Sequence, residues 1–342
     1  MSTPAGLHHD QLGRALGVLR LSLTARCNFA CPYCLPENQE PPGLLSLEQR
    51  LAVVAAAVDL GVRSLRLTGG EPLLHPQLEE LVAGLQPLRD RGLADIALTT
   101  NGSLLSAERA LALRAAGLDR ITVSLDGTTA ASVARMAGLA PGARSEAALE
   151  QVLAALGHGV AAGFDPAAGA LKLNAVILRG SNEDQILPLA QLARERGIEL
   201  RLIEAMDVGT RNGWRPEDVV PASAMVQAIG NRWPLEPQGR AAGATAMRWR
   251  YADGGGTIAI VASISSPFCG DCNRLRITAE GLAYTCLFAQ QGTDLRPWLQ
   301  APEDGPALRE AIAELWRGRR DRYSEERQGP SPAAKEMAYL GG

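Results

Sequence analysis

Strand-like and helix-like segments alternate along residues 1–206, and the strand-like ones carry two chemically different faces. The strand-like segments are 18–24, 64–68, 95–101, 120–126, 171–178 and 199–205. Between them, 47–60, 77–91, 107–116 and 183–196 repeat apolar residues at the helical period of three to four. Gly61, Gly92, Gly117 and Gly197 stand just before strands, where a left-handed residue ends a helix. Alternation at this spacing predicts parallel βαβ units, and hence an α/β sheet or barrel.

Side chains alternate along a strand with period two. One face gathers Arg20, Ser22 and Thr24, then Ser64, Arg66 and Thr68. It continues with Thr99 and Asn101, with Thr122, Ser124 and Asp126, and with Lys172 and Asn174. The other face is almost wholly Leu, Ile, Val and Ala. A closed, packed barrel fills its interior with branched apolar residues. Here helices must cover the apolar face, so the polar, partly cationic face must line a wet or ligand-filled lumen. The expected fold is a partial, open parallel β/α barrel that holds a polar ligand.

Beyond about residue 207 the pattern changes. Residues 209–221 read as loop, 249–252, 257–262 and 275–278 as short strands, and 306–323 as helix. The expected organisation is a barrel over 1–206, a smaller α+β region over 207–327, and a flexible tail over 328–342.

A chain of 342 residues, 46% of them hydrophobic, can bury a sizeable core. Its net charge of −3 gives no basic tail for nucleic acid, and no apolar run approaches the roughly 18 residues that would span a membrane. Residues 1–10 lack a signal-peptide layout, which leaves the cytoplasm as the expected compartment. Only Lys172 and Lys335 are lysines among 34 basic residues, so each invites a functional question.

Six cysteines fall into two triplets. Disulfide scaffolds belong to short secreted chains, which this is not. Cys27, Cys31 and Cys34 have the spacing C-x3-C-x2-C in the loop after the first strand. Three thiolates can hold an iron–sulfur cluster and leave one iron open for chemistry. Zinc is the rival, but structural zinc wants four ligands, and the histidines at 8, 9, 75 and 158 offer no obvious fourth. Thr68-Gly69-Gly70-Glu71-Pro72 follows the second strand; alone it is an ordinary βα turn. Cys269, Cys272 and Cys286 form the second triplet, open to a structural zinc, an electron-relay cluster or a cluster that binds substrate.

The first triplet followed by Gly-Gly-Glu-Pro resembles the radical S-adenosylmethionine (SAM) superfamily. The resemblance implies that the open iron chelates SAM, whose reductive cleavage gives a hydrogen-abstracting 5′-deoxyadenosyl radical. It implies SAM contacts at Tyr33, Gly70, Ser124 and Met206. The second triplet with Asn273-Arg274-Leu275-Arg276 is similar, more narrowly, to the GTP 3′,8-cyclases of molybdenum cofactor biosynthesis. Thr99-Thr100-Asn101-Gly102, Lys172-Leu173-Asn174 and the terminal Gly341-Gly342 belong to the same likeness.

That family implies two [4Fe–4S] clusters, with GTP between them and guanine on the second. It implies GTP contacts at Arg20, Arg66, Thr99, Lys172, Arg274 and Arg276, more weakly at Arg201, and a tail, Gly341 and Gly342, that enters the site. The implied partners are GTP, a flavodoxin- or ferredoxin-like reductant and, downstream, cyclic pyranopterin monophosphate synthase; a homodimer is allowed. A family lysine near the phosphates falls at Ser64 here, so one cation is missing. Two other readings keep to different substrates or roles: a radical SAM enzyme acting on another nucleotide or a peptide, and a non-catalytic zinc or iron–sulfur protein.

Overall fold

The computed structural model describes residues 8–36, 39–301, 304–328 and 335–341. Residues 1–7 of the N-terminal stretch, part of the tail and Gly342 lie outside them. Twelve strands form one sheet: β1 Val18–Ser22, β2 Ser64–Thr68, β3 Asp95–Thr100, β4 Arg120–Ser124, β5 Leu171–Ile177, β6 Glu199–Glu204, β7 Leu235–Gly239, β8 Met247–Tyr251, β9 Thr257–Val261, β10 Arg274–Ile277, β11 Leu282–Tyr284 and β12 Thr293–Asp294. The helices are α1 Leu47–Asp59, α2 Leu78–Gly84, α3 Ala107–Ala115, α4 Ala130–Ala137, α5 Ala143–Ala161, α6 Ile186–Glu195, α7 Ala222–Gly230, α8 Gly305–Arg317 and α9 Tyr323–Glu326.

Strand order is β12-β11-β10-β1-β2-β3-β4-β5-β6-β9-β8-β7, so the sheet stays open. From β10 through β1–β6 to β9 all pairings are parallel, and antiparallel strands extend both edges. The C-terminal α+β region thus contributes its strands to the barrel's own sheet. Leu19, Leu21, Leu65, Leu67, Ile96, Leu98, Ile121, Val123, Leu173, Leu200 and Leu202 are wholly buried on the apolar face. At roughly 25 cal/mol per Å² of apolar surface, this continuous core is the main favourable term holding helices to sheet.

Two helices differ from the sequence reading. The stretch 77–91 is α-helical only over Leu78–Gly84, then tightens to a 3-10 turn over Gln86–Arg89. Pro87 lies in that turn and has no N–H for the α-helical ladder. The stretch 306–323 ends as α8 at Arg317, and Gly318 caps it.

β9 and β10 are consecutive in sequence yet stand at opposite ends of the parallel strands. Residues 262–273 therefore cross the open side of the barrel, and they carry Cys269 and Cys272. The crossing is anchored by Glu204, fully buried at the end of β6. Its carboxylate accepts from the Ile264 and Ser265 amides at 2.8 and 2.9 Å and from Ala222 N at 2.8 Å. Among the described residues no helix is long and apolar enough to cross a membrane.

Candidate active site

The parallel register stacks the polar face into rows. Arg276, Arg20 and Arg66 are direct neighbours across β10, β1 and β2. Thr99, Thr122, Lys172 and Glu199 form a second row across β3 to β6. Like charges directly opposite one another destabilise a sheet unless an anion or carboxylate lies among them. Both rows open on a cavity of about 370 Å³, lined also by Met206, Arg201, Arg248, Phe268, Arg274, Cys269, Cys272 and Cys286.

Six of the implied GTP residues, Arg20, Arg66, Thr99, Lys172, Arg274 and Arg276, together with Arg201, thus share one cavity. Burial, then Arg276, Arg66 and Arg274, depress the Arg20 pKa well below its ordinary value. Burial, then Arg120 and Arg201, take Arg66 to about 9. Burial, then Arg274, take Arg276 to about 10. A guanidinium does not deprotonate in proteins, so these depressions express the cost of crowded charge awaiting an anion.

Lys172 is only 6% exposed, so this rare lysine is buried and not a surface cation. Burial, then Arg201, hold it down at about 8. Its Nζ donates to Glu199 Oε1 at 2.9 Å, where Arg201 Nε also donates at 2.8 Å, and Arg248 pairs with the other oxygen. Burial opposes the charge on Glu199, but Arg201 and Lys172 win and bring it to about 2. One carboxylate facing three cations leaves net positive charge. The sequence reading missed Glu199 and Arg248: β6 was recognised, but only the fold pairs them with Lys172. At Ser64, where the resemblance expects a lysine, the hydroxyl donates to Asp95 at 2.7 Å, and Asp95 also binds Arg120.

Thr68 Oγ1, Thr122 Oγ1 and Asn174 Oδ1 are buried without hydrogen-bond partners among the described residues. Unmade bonds of this kind cost about 1–3 kcal/mol each and fit a site shaped for a polar ligand.

The N-terminal triplet lies outside that cavity's lining. Cys31 closes a tight turn, its carbonyl accepting from Cys34 N at 3.0 Å and Leu35 N at 2.9 Å. Burial pushes Cys27 to about 11 and Cys34 to about 12; burial, Asp126 and the neighbouring thiols also raise Cys31. Gly69 and Gly70 prove essential to backbone contact. Gly70 N donates to Thr24 O at 2.8 Å, and a Cβ on Gly70 would stand 2.1 Å from Arg26 O. Glu71, buried in the same loop, accepts from Thr100 Oγ1 and Asn101 N at 2.7 Å each. The Gly-Gly-Glu-Pro loop therefore braces the cysteine loop against β3. Tyr33 donates to Asp126 at 2.5 Å, which ties the cysteine loop to the chain two residues past the end of β4.

The two triplets meet through one apolar cluster. Cys34, Met206, Cys286 and Leu287 all pack against Val208, Phe288 and Met337. Met337 belongs to the tail segment 335–341, which packs inward, with Ala338 and Leu340 almost fully buried. Arg20 Nε donates to the Gly341 carbonyl at 2.7 Å, and Arg276 Nη1 to it at 3.3 Å.

All six thiols are free, and none of the described residues offers a fourth thiol to either triplet. No three of His, Cys, Asp and Glu among the described residues share a single-ion site, whereas a cubane takes one thiolate on each of three separate irons. In the second triplet, burial raises Cys286 to about 11, while Arg274 and Arg319 outweigh burial and lower Cys272. The donor sets fit thiolate-bound clusters.

Residues 21–193 match the radical SAM superfamily and residues 198–325 match Molybdenum Cofactor Synthesis C. The GTP 3′,8-cyclase of Synechococcus sp. (strain CC9902) is 58% identical over 344 residues, covering 99% of this chain and all of that relative. That of Xanthomonas campestris pv. campestris (strain B100) is 47% identical, covering 97% of each. Among solved structures, SuiB of Streptococcus suis has a TM-score of 0.63 at 14% identity, covering 90% of this chain and 67% of its own. SuiB bound to S-adenosylmethionine gives 0.62 at 15%, covering 95% and 77%. These two likenesses concern the fold alone. By its matched segments and its full-length relatives, the chain belongs to the radical SAM superfamily and, within it, to the GTP 3′,8-cyclases.

Proposed function

We infer that the chain cyclises GTP to (8S)-3′,8-cyclo-7,8-dihydroguanosine 5′-triphosphate, the first step of molybdenum cofactor biosynthesis. Its cofactors are two [4Fe–4S] clusters and SAM. The observation that carries the reading is the cavity in which the second thiol triplet meets the row of Arg276, Arg20 and Arg66. Cys27, Cys31 and Cys34 would hold the first cluster, and Cys269, Cys272 and Cys286 the second. When bound, these groups supply the one-electron chemistry that removes the ribose 3′ hydrogen and lets C3′ join C8.

This chain's own residues do the rest. Arg20, Arg66, Arg276 and Arg274, with Lys172, neutralise the triphosphate, and planar guanidiniums suit phosphate oxygens. Thr99, in the adjoining row, and Arg201, two residues after Glu199 on β6, orient it. Glu199 keeps Lys172 and Arg201 in place. Gly70, Ser124 and Met206 lie at or just past the C-terminal ends of β2, β4 and β6, and Tyr33 lies in the cysteine loop after β1; these residues would hold SAM. Gly341 closes the lumen on the tail side, and the apolar cluster of Val208, Phe288 and Met337 excludes water between the thiols.

A flavodoxin- or ferredoxin-like protein would supply the electron, and cyclic pyranopterin monophosphate synthase would take the product. The chain works in the cytoplasm as a barrel of 1–206 with a substrate-binding region over 207–327 and a tail over 328–342. Sedimentation of the reconstituted protein tests a homodimer. Anaerobic reconstitution, iron counting and product analysis with GTP and SAM test the function. The expected result is two clusters, 5′-deoxyadenosine and cyclised GTP; absence of GTP binding by the fully loaded chain would refute it. Cys269→Ala should keep the first cluster and lose productive GTP binding.

A further inference from the structure

Two buried arginines outside the cavity grip the C-terminal triplet from opposite ends of the chain. Arg14 precedes β1 and Arg319 follows α8, and they are 4% and 3% exposed. Arg14 Nη1 donates to the Cys269 carbonyl and to the Asp321 carbonyl, at 2.8 Å each. Arg319 Nη1 donates to the Cys272 carbonyl at 2.6 Å. Its Nε donates at 3.0 Å to the carbonyl of Thr285, the residue before Cys286. Main chain at or beside every thiol of the triplet is thus held by one guanidinium or the other.

Asp10 joins the two. Its Oδ2 accepts from Arg14 Nε at 2.6 Å and from Arg319 Nη1 at 3.1 Å, and its Oδ1 accepts from the amides of Leu12 and Arg14 at 2.9 Å each. Trp316, fully buried on α8, donates to the Arg14 carbonyl at 3.0 Å and lies 4.6 Å from the Arg319 guanidinium. Asp321 adds a second carboxylate, 3.7 Å from Arg319 Nε, and accepts from Thr285 Oγ1 at 2.7 Å.

Burying ion pairs is a poor route to stability, because desolvation offsets the attraction and apolar side chains of the same size often serve as well. A network this buried calls for another use. Arg14 Nη2 is itself buried with no hydrogen-bond partner among the described residues. That unmatched donor belongs to the same guanidinium that binds the Cys269 carbonyl. Hydrogen bonds and charges around such a group set its potential, and residues behind the ligands orient them.

Resting on the reading that this triplet carries a cluster, we propose that Asp10, Arg14 and Arg319 are positioning residues for it. They fix the three cysteine segments in register and set the cluster's reduction potential by their charge. The test uses the full chain, with Cys27, Cys31 and Cys34 replaced by alanine so that any midpoint belongs to the C-terminal triplet. Arg319→Gln removes one positive charge, and Asp10→Asn removes one negative charge while keeping its shape. The expected result is a lower midpoint for R319Q and a higher one for D10N, with R319K near the parent. In the chain with both triplets intact, Arg14→Gln should lose about half of the iron, all of it from the C-terminal site. A purely structural brace would reduce loading without opposite potential shifts, and that outcome overturns the proposal. Unshifted midpoints in R319Q and D10N also overturn it. No iron at the C-terminal triplet of the parent chain refutes the cluster reading itself, which separates the two failures.

Discussion

Lys172 shows how far a single side chain can be read before the fold is known. Its rarity and its place on a polar strand face marked it. Its burial, its depressed pKa of about 8 and its bond to Glu199 came from the structure. Below pH 8 the free protein keeps the ammonium charge; above it the charge is lost. GTP affinity should therefore fall as pH rises through about 8, and Lys172→Arg should flatten the dependence because guanidinium stays charged. Lys172→Ala should weaken GTP binding about 10- to 100-fold, the worth of one charge-assisted hydrogen bond, with SAM binding intact. Calorimetry on either side of pH 8 measures both, and loss of SAM binding in the alanine variant would indicate a structural role instead.

Paired elements explain what the motifs are for. Gly69 and Gly70 were legible as a turn, and the resemblance gave Gly70 a SAM contact. The structure adds that this loop must touch the Thr24–Arg26 backbone, where a side chain on Gly70 has no room. Gly70→Ala should cost on the order of 1–3 kcal/mol and dislodge the Cys27 loop. Thermal denaturation and iron counting should show a lower Tm and iron lost from the first triplet only; unchanged loading would refute the brace. The strand faces were legible because period two is imposed by the backbone. The row Arg276, Arg20 and Arg66 was not, since register between β10 and β1 joins residues some 250 positions apart.

On the scale of the whole molecule, the lumen is closed by a segment near the C-terminus. The segment 335–341 enters the lumen, and Gly341, at φ 65°, packs where a Cβ would meet Thr68 Oγ1 at 2.1 Å and Ser22 Oγ at 2.8 Å. Gly341→Ala should therefore expel the tail. Turnover should fall about a hundredfold, as expected when positioning shifts by roughly an ångström, and limited proteolysis should cut the tail faster. Full activity with a protease-resistant tail would refute that role. Across the barrel mouth, the crossing 262–273 brings Cys269 and Cys272 to the lumen opposite Lys172.

Local chemistry was written in the chain: thiol spacing, strand periodicity and glycine positions depend on neighbours within a few residues. From these followed the α/β barrel, its polar lumen and the two triplets. Which groups share a cavity depended on folding, because Glu199 with Arg248, Arg14 with Cys269, and Arg20 with Gly341 are contacts between distant segments. Spacing along a chain can name ligands, but charge, burial and hydrogen-bond partners exist only once the sheet has brought those segments side by side.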